Sequence, residues 1–299
     1  MGFADFKNKM KSAESTEKLA SSFEQKSFSD ERYWKPTIDK TTGSANCVIR
    51  FLPAGGDEEQ HFVTMLSYAF QNEDTKQYYI ENSRRTLGED DPVAQANSEL
   101  WNTGLEENQN LVRKRPQKTH YISNVLVIKD PEHPENEGKV FLYKYGKAVM
   151  KKIKAAIKPE YADEKPVNPF NMWDGANFKV RISRQQGNKF PTYDDCMFES
   201  PSAIFGGDDA RIEKEVYNNL YSLQAEIAPS KFKSYADLKE RFLIVEGDTK
   251  AARAAREQSQ PNPDYREPAK EEPATPKATT PKAETQDADL DDDIMSLLD

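Results

Sequence analysis

Four positively charged side chains lie within six residues of the chain, at Arg113, Lys114, Arg115 and Lys118. They come directly before a strand-like segment that opens with Tyr121. Cationic side chains neutralise phosphate groups and release counterions, which gives an affinity for nucleic acids that does not depend on base sequence. A lone cluster of this kind is more often a solvated basic turn, so it indicates phosphate binding only in combination with other features.

A second candidate is an aromatic stripe, in which Phe141, Tyr143 and Tyr145 alternate with Leu142 and Lys144. Alternate residues of a strand point to the same side, so the three rings would share one face. A single nucleic-acid strand can stack successive bases on such a ladder, and stacking contributes roughly 1–3 kcal/mol per base. The alternative is that the stripe belongs to the hydrophobic core, and the sequence leaves both interpretations open.

A third unit combines Arg181 and Arg184 with a loop that carries Phe190 and Tyr193. Exposed aromatic rings beside cations suit base stacking with cation–π support. Each of the three units is a weak signal alone. Three basic-aromatic units within about 80 residues, in a part of the chain with almost no net charge, favour a nucleic-acid-binding protein.

The end of the chain combines acidic side chains with large apolar ones. Residues 257–299 contain 12 acidic and 4 basic residues, so residues 1–256 carry only about −1 of the net charge of −9. The low apolar content predicts disorder over 251–299. The acids would repel nucleic acid or occupy an empty basic groove, whereas the apolar residues could dock on partner proteins; the alternative is a solubilising tail. The residues predicted to bind partners are Asp289, Leu290, Asp291, Asp292, Asp293, Ile294, Leu297 and Leu298.

Several classes of protein are disfavoured by what the 299 residues lack. No run approaches the ~20 apolar residues of a membrane helix, and the first residues lack a secretion signal. Two cysteines, Cys47 and Cys196, are too few for a disulfide framework and indicate a reducing cytoplasm. No nucleotide-binding loop, nucleophile elbow or zinc-protease motif is present, so we expect no enzyme.

Strand-like segments between residues 46 and 183 must position these side chains. Together with the helices, they predict a mixed β/α fold with a five-stranded OB-fold barrel core, an inserted small subdomain and helical elaborations. The predicted strands cover 46–52, 61–70, 77–81, 121–129, 139–145 and 177–183. The predicted helices cover 93–101, 147–157, about 211–227 and about 235–244.

At these residues the chain resembles the helix-destabilising single-stranded-DNA-binding proteins of T-even-type phages. The resemblance implies three parts: an N-terminal arm at 1–19 for cooperative self-association, an OB-fold core at 20–250 that holds DNA, and an acidic tail at 251–299. The matching stretches are VIRFLP (48–53), YYIE (78–81), LVRKR (111–115), NVLVIKDPEHPENEGKVFLYKYG (124–146), WDGANFKV (173–180) and DLDDDIMSLL (289–298).

The resemblance also implies roles for individual residues. In the arm, Lys7, Lys9, Lys11 and Ser12 are expected to contact a neighbouring copy. The tail is expected to recruit phage polymerase, helicase loader and recombinase in the cytoplasm of the infected bacterial host, and the protein's own mRNA is a possible further ligand. By matching position, the DNA contacts are Arg50, Trp101, Arg113, Lys114, Arg115, Tyr121, Tyr143, Lys144, Phe190 and Tyr193. The basic-aromatic units add Lys118, Tyr145, Arg181 and Arg184.

The resemblance implies a structural zinc ion held by one histidine and three cysteines, but the matching positions here are Tyr68, Ser83, Asp91 and Ala94. These side chains cannot form the tetrahedral site that such ligands provide. We therefore expect no zinc and no other cofactor. The subdomain at about 60–110 would then be held by packing of Tyr68, Tyr78, Tyr79, Leu87, Val93 and Trp101.

Two other classes of function stay open at this point. A metal-dependent nuclease or polymerase accessory enzyme would cleave or process strands in the presence of Mg²⁺. An RNA-binding translational regulator would prefer RNA to DNA of matched sequence, and this function can coexist with DNA binding.

Overall fold

The computed structural model describes residues 30–56, 58–161, 163–183 and 192–248. The roles predicted for the N-terminal arm (Lys7, Lys9, Lys11 and Ser12), for Arg184 and Phe190, and for the acidic tail fall outside these ranges. They stay predictions.

A mixed sheet of eight strands underlies the described part of the chain. Its order is β1-β6-β5-β2-β7-β8, with the β3–β4 hairpin joined to it through β5. β1 runs parallel to β6, and the other neighbours are antiparallel. The strands are β1 (Tyr33–Trp34), β2 (Ser44–Leu52), β3 (Val63–Gln71), β4 (Tyr78–Asn82), β5 (Gln117–Lys129), β6 (Val140–Tyr145), β7 (Asn177–Ser183) and β8 (Met197–Phe198).

Four of these strands form a Greek key. β2, β5 and β6 are adjacent and antiparallel, and β7 returns after a long connection to lie beside β2. This spatial order is the one that defines the motif. Within the described residues the sheet is open, because its end strands β1 and β8 do not pair. A closed five-stranded barrel is therefore not confirmed.

β5 is the strand that joins the two parts of the sheet. Its first residues, 117–122, pair with β3, and its last residues, 124–129, pair with β2. β6 pairs with 121–126, across both of these segments. Because a strand has only two edges, β2 and β3 must share one edge of β5 and β6 must occupy the other.

In the described part of the chain, five α-helices accompany the sheet. The helix at 147–157 and strand β7 have the predicted limits. Among the described helices, none is both long and apolar enough to span a bilayer. The helices are α1 (Pro92–Asn102), α2 (Glu106–Arg113), α3 (Lys147–Ile157), α4 (Asp209–Glu215) and α5 (Tyr235–Val245).

The helix predicted over 211–227 is wrong after its first turns. α4 ends at Glu215 and is followed by three short 3-10 helices. Ile212 and Val216 contribute to one apolar cluster, whereas Leu223 contributes to another. A straight helix could not serve both clusters, so the helical spacing of the apolar residues was misleading.

The sheet carries apolar layers on both faces. On one face lies the main core, where Val125 and Val127 of β5 meet β2, β6, β7 and helix α3. On the other face, Ile122 and Leu126 of β5 pack against residues 204–232 near the end of the described chain. Successive residues of β5 therefore serve opposite layers, as the two-residue period of a strand requires.

A fourth cluster holds the small subdomain. Tyr68, Tyr79 and Val93 are buried there, as predicted, together with Phe70 of β3. Helix α5 completes the cluster with two residues from a distant part of the sequence, Phe242 and Val245. Tyr78 and Trp101, which were predicted to fill this core, are instead exposed.

The positions that resemble zinc ligands form hydrogen bonds instead. Asp91, only 1 % exposed, accepts from the Ser83 hydroxyl at 2.9 Å and from the backbone N–H groups of Val93 and Ala94 at 3.0 and 3.2 Å. Asp91 is thereby the N-cap of α1. The Tyr68 hydroxyl accepts from Gln117 at 3.2 Å. One carboxylate with both oxygens occupied, a hydroxyl and a phenol do not fit a zinc ion.

Substitution of Asp91 tests whether hydrogen bonds rather than a metal hold the subdomain. Asp91→Asn replaces an acceptor oxygen by a donor and should cost roughly 1–3 kcal/mol, which lowers the thermal midpoint by about 2–4 °C per kcal/mol. The exposed neighbour supplies the control Asp90→Asn, which should leave the midpoint unchanged. Metal analysis should find no stoichiometric zinc, and EDTA should not alter the melting curve. One zinc per chain would contradict this assignment.

Candidate nucleic-acid interface

An exposed aromatic–cation group lies on the α1–α2 pair. The Trp101 side chain is 44 % exposed, and the guanidinium of Arg113 lies 5.6 Å from the centre of its ring. Arg113 pairs with Glu106 at 3.0 Å, and Lys114 pairs with Glu73 at 2.8 Å. Ion pairs this exposed contribute little, because water screens them. Both cations can therefore exchange a carboxylate for a phosphate at small cost.

Arg115, two residues from Arg113, has a different environment. Its side chain is 4 % exposed, pairs with the Glu246 carboxylate, and lies 5.6 and 5.4 Å from the ring centres of Phe70 and Phe242. Burial lowers the pKa of its guanidinium, and Glu246 opposes that effect. Arg115 thus holds α5 against the β3–β4 hairpin. The predicted phosphate contact would require this ion pair to open.

Arg50 is also placed inside the protein. It is fully buried, and its guanidinium donates to the backbone oxygens of Asn171 at 3.2 Å and Ser202 at 2.5 Å. A further bond, of 3.3 Å, reaches the side chain of Asn177. Burial lowers the pKa of Arg50 to about 10. The side chain joins β2 to two loops and offers no surface to a ligand in this conformation.

The inner part of the aromatic stripe belongs to the core. Tyr143 and Tyr145 are buried, and Phe141 is partly buried against the same cluster. The Tyr145 and Ser123 hydroxyls form a hydrogen bond of 3.0 Å. Burial raises the pKa of Tyr145. For Tyr143 and Tyr145 the core interpretation is therefore confirmed, and neither presents a free ring face.

Aromatic rings continue from this core toward the surface in what we call the aromatic belt: the half-buried rings of Tyr121, Phe62 and His61 and the buried ring of Phe170 on which they pack. The Tyr121 ring stacks on Tyr145 with 5.8 Å between centroids, and Phe62 meets Tyr121 edge-on at 5.9 Å. Phe170 lies 6.5 Å from Phe62 and 5.3 Å from His61. Edge-to-face and offset contacts of this kind hold rings in fixed orientations. The belt is therefore a rigid surface on which a base could stack.

Sequence reasoning identified only Tyr121 among the members of the belt. His61 and Phe62 precede β3, and Phe170 comes from a loop more than 100 residues later. The pairing of Thr64 with Tyr121 brings the start of β3 to the middle of β5. The signal that would have found Phe62 is therefore the strand register, which the sequence alone does not supply.

Lys118 and Lys144 lie on the opposite face of the sheet from the belt. Lys144 pairs with Ile122, whereas Tyr145 pairs with Tyr121, so the two lysines share the Ile122 face. Lys118 is on that face because it is four residues before Ile122. The structure therefore splits the predicted DNA contacts between two faces.

The third predicted unit lies elsewhere on the sheet. Arg181 is exposed near the end of β7 and pairs in register with Asn46. β5 and β7 run parallel on either side of β2, so Arg181 and Lys118 lie toward opposite ends of the sheet. Tyr193 is partly buried against the main core.

Comparison of the sequence with known proteins identifies the family of this chain. The sequence model described as "gp32 DNA binding protein like" matches residues 43–246. A protein of Enterobacteria phage T2 named single-stranded DNA-binding protein is 37% identical over 234 residues, 77% of this chain and 74% of the relative. A protein of the same name from Enterobacteria phage T4 is 37% identical over 249 residues, 81% of this chain and 79% of the relative. The resemblance inferred from the sequence is confirmed, and the chain belongs to the gp32-like family of DNA-binding proteins.

Proposed function

We propose that this protein binds single-stranded DNA without sequence preference and coats it cooperatively during phage DNA replication, recombination and repair. The observation that carries the proposal is membership of the gp32-like family, whose T2 and T4 relatives are named single-stranded DNA-binding proteins. The structure adds a physical rationale in two surfaces, the Trp101–Arg113–Lys114 group and the aromatic belt.

Both surfaces suit a ligand that is recognised by features common to all nucleotides. Every base has a face that can stack on an aromatic ring, and every nucleotide carries a phosphate. Trp101 and the rim rings Phe62 and Tyr121 supply ring faces, and Arg113 and Lys114 supply charge. Contacts of these kinds give affinity without reading the edges of the bases, so little sequence preference is expected.

We also propose that the sheet is an elaborated OB-fold. The Greek-key order of β2, β5, β6 and β7 supports this, because the OB-fold is a partly open Greek-key barrel of five strands. The β3–β4 hairpin with α1 and α2 lies in the sequence between β2 and β5. It would then be the inserted subdomain, folded without zinc.

The first prediction of this proposal separates exposed cations from buried ones. Arg113→Gln combined with Lys114→Gln should make the dependence of log affinity on log salt shallower by about 1.4, since each single-strand phosphate contact contributes about 0.7. Melting should be unchanged, because both side chains are exposed. Arg115→Gln should instead lower stability by roughly 1–3 kcal/mol. Fluorescence titration with poly(dT) at several salt concentrations and thermal melting measure the two effects.

A matched control is the double variant Lys154→Gln on α3 and Lys158→Gln at its C-terminal end, since both lysines are exposed. It removes the same charge and should leave the salt dependence unchanged. An unaltered slope in the Arg113/Lys114 variant would remove these cations from the interface. Cleavage of the DNA by purified protein with Mg²⁺ would favour the nuclease alternative.

The second prediction concerns the proposed role of residues 1–19 in self-association. Deletion of this arm should abolish cooperative binding to long poly(dT) while nearly preserving affinity for an oligonucleotide of one site. Lys7, Lys9 and Lys11 would bind a neighbouring copy rather than DNA. If affinity for the single site falls as much as affinity for the long lattice, the arm contacts DNA instead.

The third prediction concerns the proposed tail, which would compete with DNA and recruit replication partners. Deletion of 287–299 should raise DNA affinity at low salt, with a gain that shrinks as salt screens the acids. It should also abolish capture of phage polymerase, helicase loader or recombinase.

Two further variants of the tail separate these effects. Changing Asp291, Asp292 and Asp293 to Asn should relieve competition with DNA, whereas Leu297→Ser with Leu298→Ser should impair partner capture only. A truncated protein with unchanged DNA affinity and partner binding would leave the tail as a solubilising segment.

A further inference from the structure

Strand β4 has an open edge. It pairs only with β3, so its other side carries no strand within the described residues. The two end strands of the sheet, β1 and β8, also have an open side, but each contains only two residues. Short edge strands are one of the ways in which proteins prevent pairing with another chain. β4 has five residues and lacks this protection.

The hydrogen bonds at the two ends of the β3–β4 hairpin fix the direction of the backbone groups in between. The Asn72 N–H donates to the Gln77 carbonyl at 3.0 Å, and the Ser83 N–H donates to the Leu66 carbonyl at 2.8 Å. Hydrogen-bonded and non-hydrogen-bonded residue pairs alternate along an antiparallel ladder. Every second residue of β4 therefore points its N–H and C=O groups away from β3, and these residues are Tyr78, Ile80 and Asn82.

The backbone groups along this open edge are available to another strand. Neither Ile80 nor Asn82 forms a hydrogen bond on its outer side within the described part of the chain. The Tyr78 carbonyl accepts from the Arg241 guanidinium at 2.9 Å. A carbonyl oxygen has two lone pairs, so this one keeps the capacity for a second donor.

The side chains of β4 do not protect the edge either. Tyr78 is 40 % exposed and Ile80 is 38 % exposed, and both point to the same face of the strand. The one charged residue of β4, Glu81, points to the other face and pairs with Lys233. Proteins that block pairing at an edge place outward charges, proline or a bulge there. β4 has none of these features.

We propose that β4 pairs in antiparallel orientation with β4 of a second copy of this chain, about a two-fold axis at Ile80. The outward backbone groups are self-complementary in this register. Ile80 lies opposite Ile80 of the second copy, and Tyr78 lies opposite Asn82, so each outward N–H meets a carbonyl. The two isoleucine side chains then form an apolar cross-strand pair at the centre of the contact.

The charge pattern of β4 also favours this register over its neighbours. With the axis at Ile80, Glu81 lies opposite Tyr79 of the second copy, so no like charges face each other. An axis at Tyr79 would leave Asn82 without a partner in β4. An axis at Glu81 would leave Tyr78 without one and would place two carboxylates opposite each other, which is destabilising.

This contact differs from the self-association proposed for the N-terminal arm. A two-fold contact uses the same surface on both copies and closes on itself, so it yields a dimer rather than a row of copies. Coating a strand instead requires contacts that continue in one direction along it. The β4 dimer is therefore a state of the protein without DNA, and its existence does not depend on the proposed function.

Amide hydrogen exchange of the full-length wild-type protein, without DNA, tests the pairing. The Tyr79 and Glu81 amides bond to β3 and should be protected at every protein concentration. The Ile80 and Asn82 amides should exchange rapidly in dilute protein and about tenfold more slowly where the dimer predominates.

Two outcomes of the exchange experiment would overturn the proposal. One is protection of Ile80 already in dilute protein, since another segment of the same chain would then cover the edge. The other is rapid exchange of Ile80 up to about 1 mM protein, the range of weak complexes.

Cysteine cross-linking tests the register. Both native cysteines are buried. Ile80→Cys should form a disulfide-linked dimer under mild oxidation, because opposite residues of a hydrogen-bonded pair lie about 5.5 Å apart at Cα. Tyr78→Cys is the matched control on the same exposed face. Two copies of it would hold their thiols about 13 Å apart, so it should cross-link roughly tenfold more slowly.

A mixture of Tyr78→Cys and Asn82→Cys should restore cross-linking, since these positions lie opposite each other in the proposed register. Equal rates for Tyr78→Cys and Ile80→Cys would contradict that register, because they would indicate random collisions.

Sedimentation of the full-length protein measures the dimer without cross-linking. Ile80→Lys places a charge at the centre of the edge and should raise the dissociation constant about tenfold. Ile157→Lys changes a side chain of similar exposure, 47 %, at the end of α3 and should leave it unchanged. The arm is the same in both variants, so the difference between them reports on β4. Equal dissociation constants would overturn the proposal, whereas failure of wild-type protein to bind oligo(dT) would overturn only the proposed function.

Discussion

The pairing of β5 with three other strands is the constraint on which most of the described structure depends. β2 and β3 divide one edge of β5 between them, and β6 takes the other. Because side chains alternate along the strand, the odd-numbered residues of this part of β5 face one side of the sheet and the even-numbered residues face the other. Tyr121 belongs to the aromatic belt, and its neighbour His120 lies on the opposite face of the sheet with Ile122 and Lys144. A slip of one residue in this register would exchange the two surfaces.

Two buried arginines link segments of the chain that are distant in the sequence. Arg50 joins β2 to the loops around Asn171 and Ser202, and Arg115 joins α5 to the β3–β4 hairpin. The terminal nitrogens of Arg50 donate to backbone and side-chain oxygens, and the Arg115 guanidinium contacts a carboxylate and two rings. Such a side chain fixes several chain segments with one group, since its five donors point in fixed directions. Arg113 has the same chemistry, but its contacts with Glu106, Asn110 and Trp101 lie at the surface, and it is therefore available to a ligand.

The comparison of Arg113 with Arg115 also shows how far the sequence can predict the site. Local patterns were sufficient for α3 and β7, whose periodicity lies within one segment. The basic cluster was recognised from the sequence. Its local pattern does not show that Arg115, rather than Arg113, pairs with Glu246, 131 residues later in the chain. Phe62 and Phe170 were missed for the same reason, because their contact with Tyr121 depends on long-range pairing. The apolar spacing at 212–223 predicted one long helix. That prediction was wrong, because these residues pack into two different apolar clusters.

The ion pair between Arg115 and Glu246 also determines where the described part of the chain ends. It anchors the last described residues beside Lys114 and the β3–β4 turn, where Thr75 also donates to the Val245 carbonyl at 2.7 Å. The end of the described chain is therefore held within a few residues of the basic cluster. The cost of bringing two chain points together grows only logarithmically with the intervening length, by about 0.6 kcal/mol per doubling. For the proposed contact between the acidic end and this surface, insertions or deletions between residue 248 and the acids would therefore change the free energy only slightly.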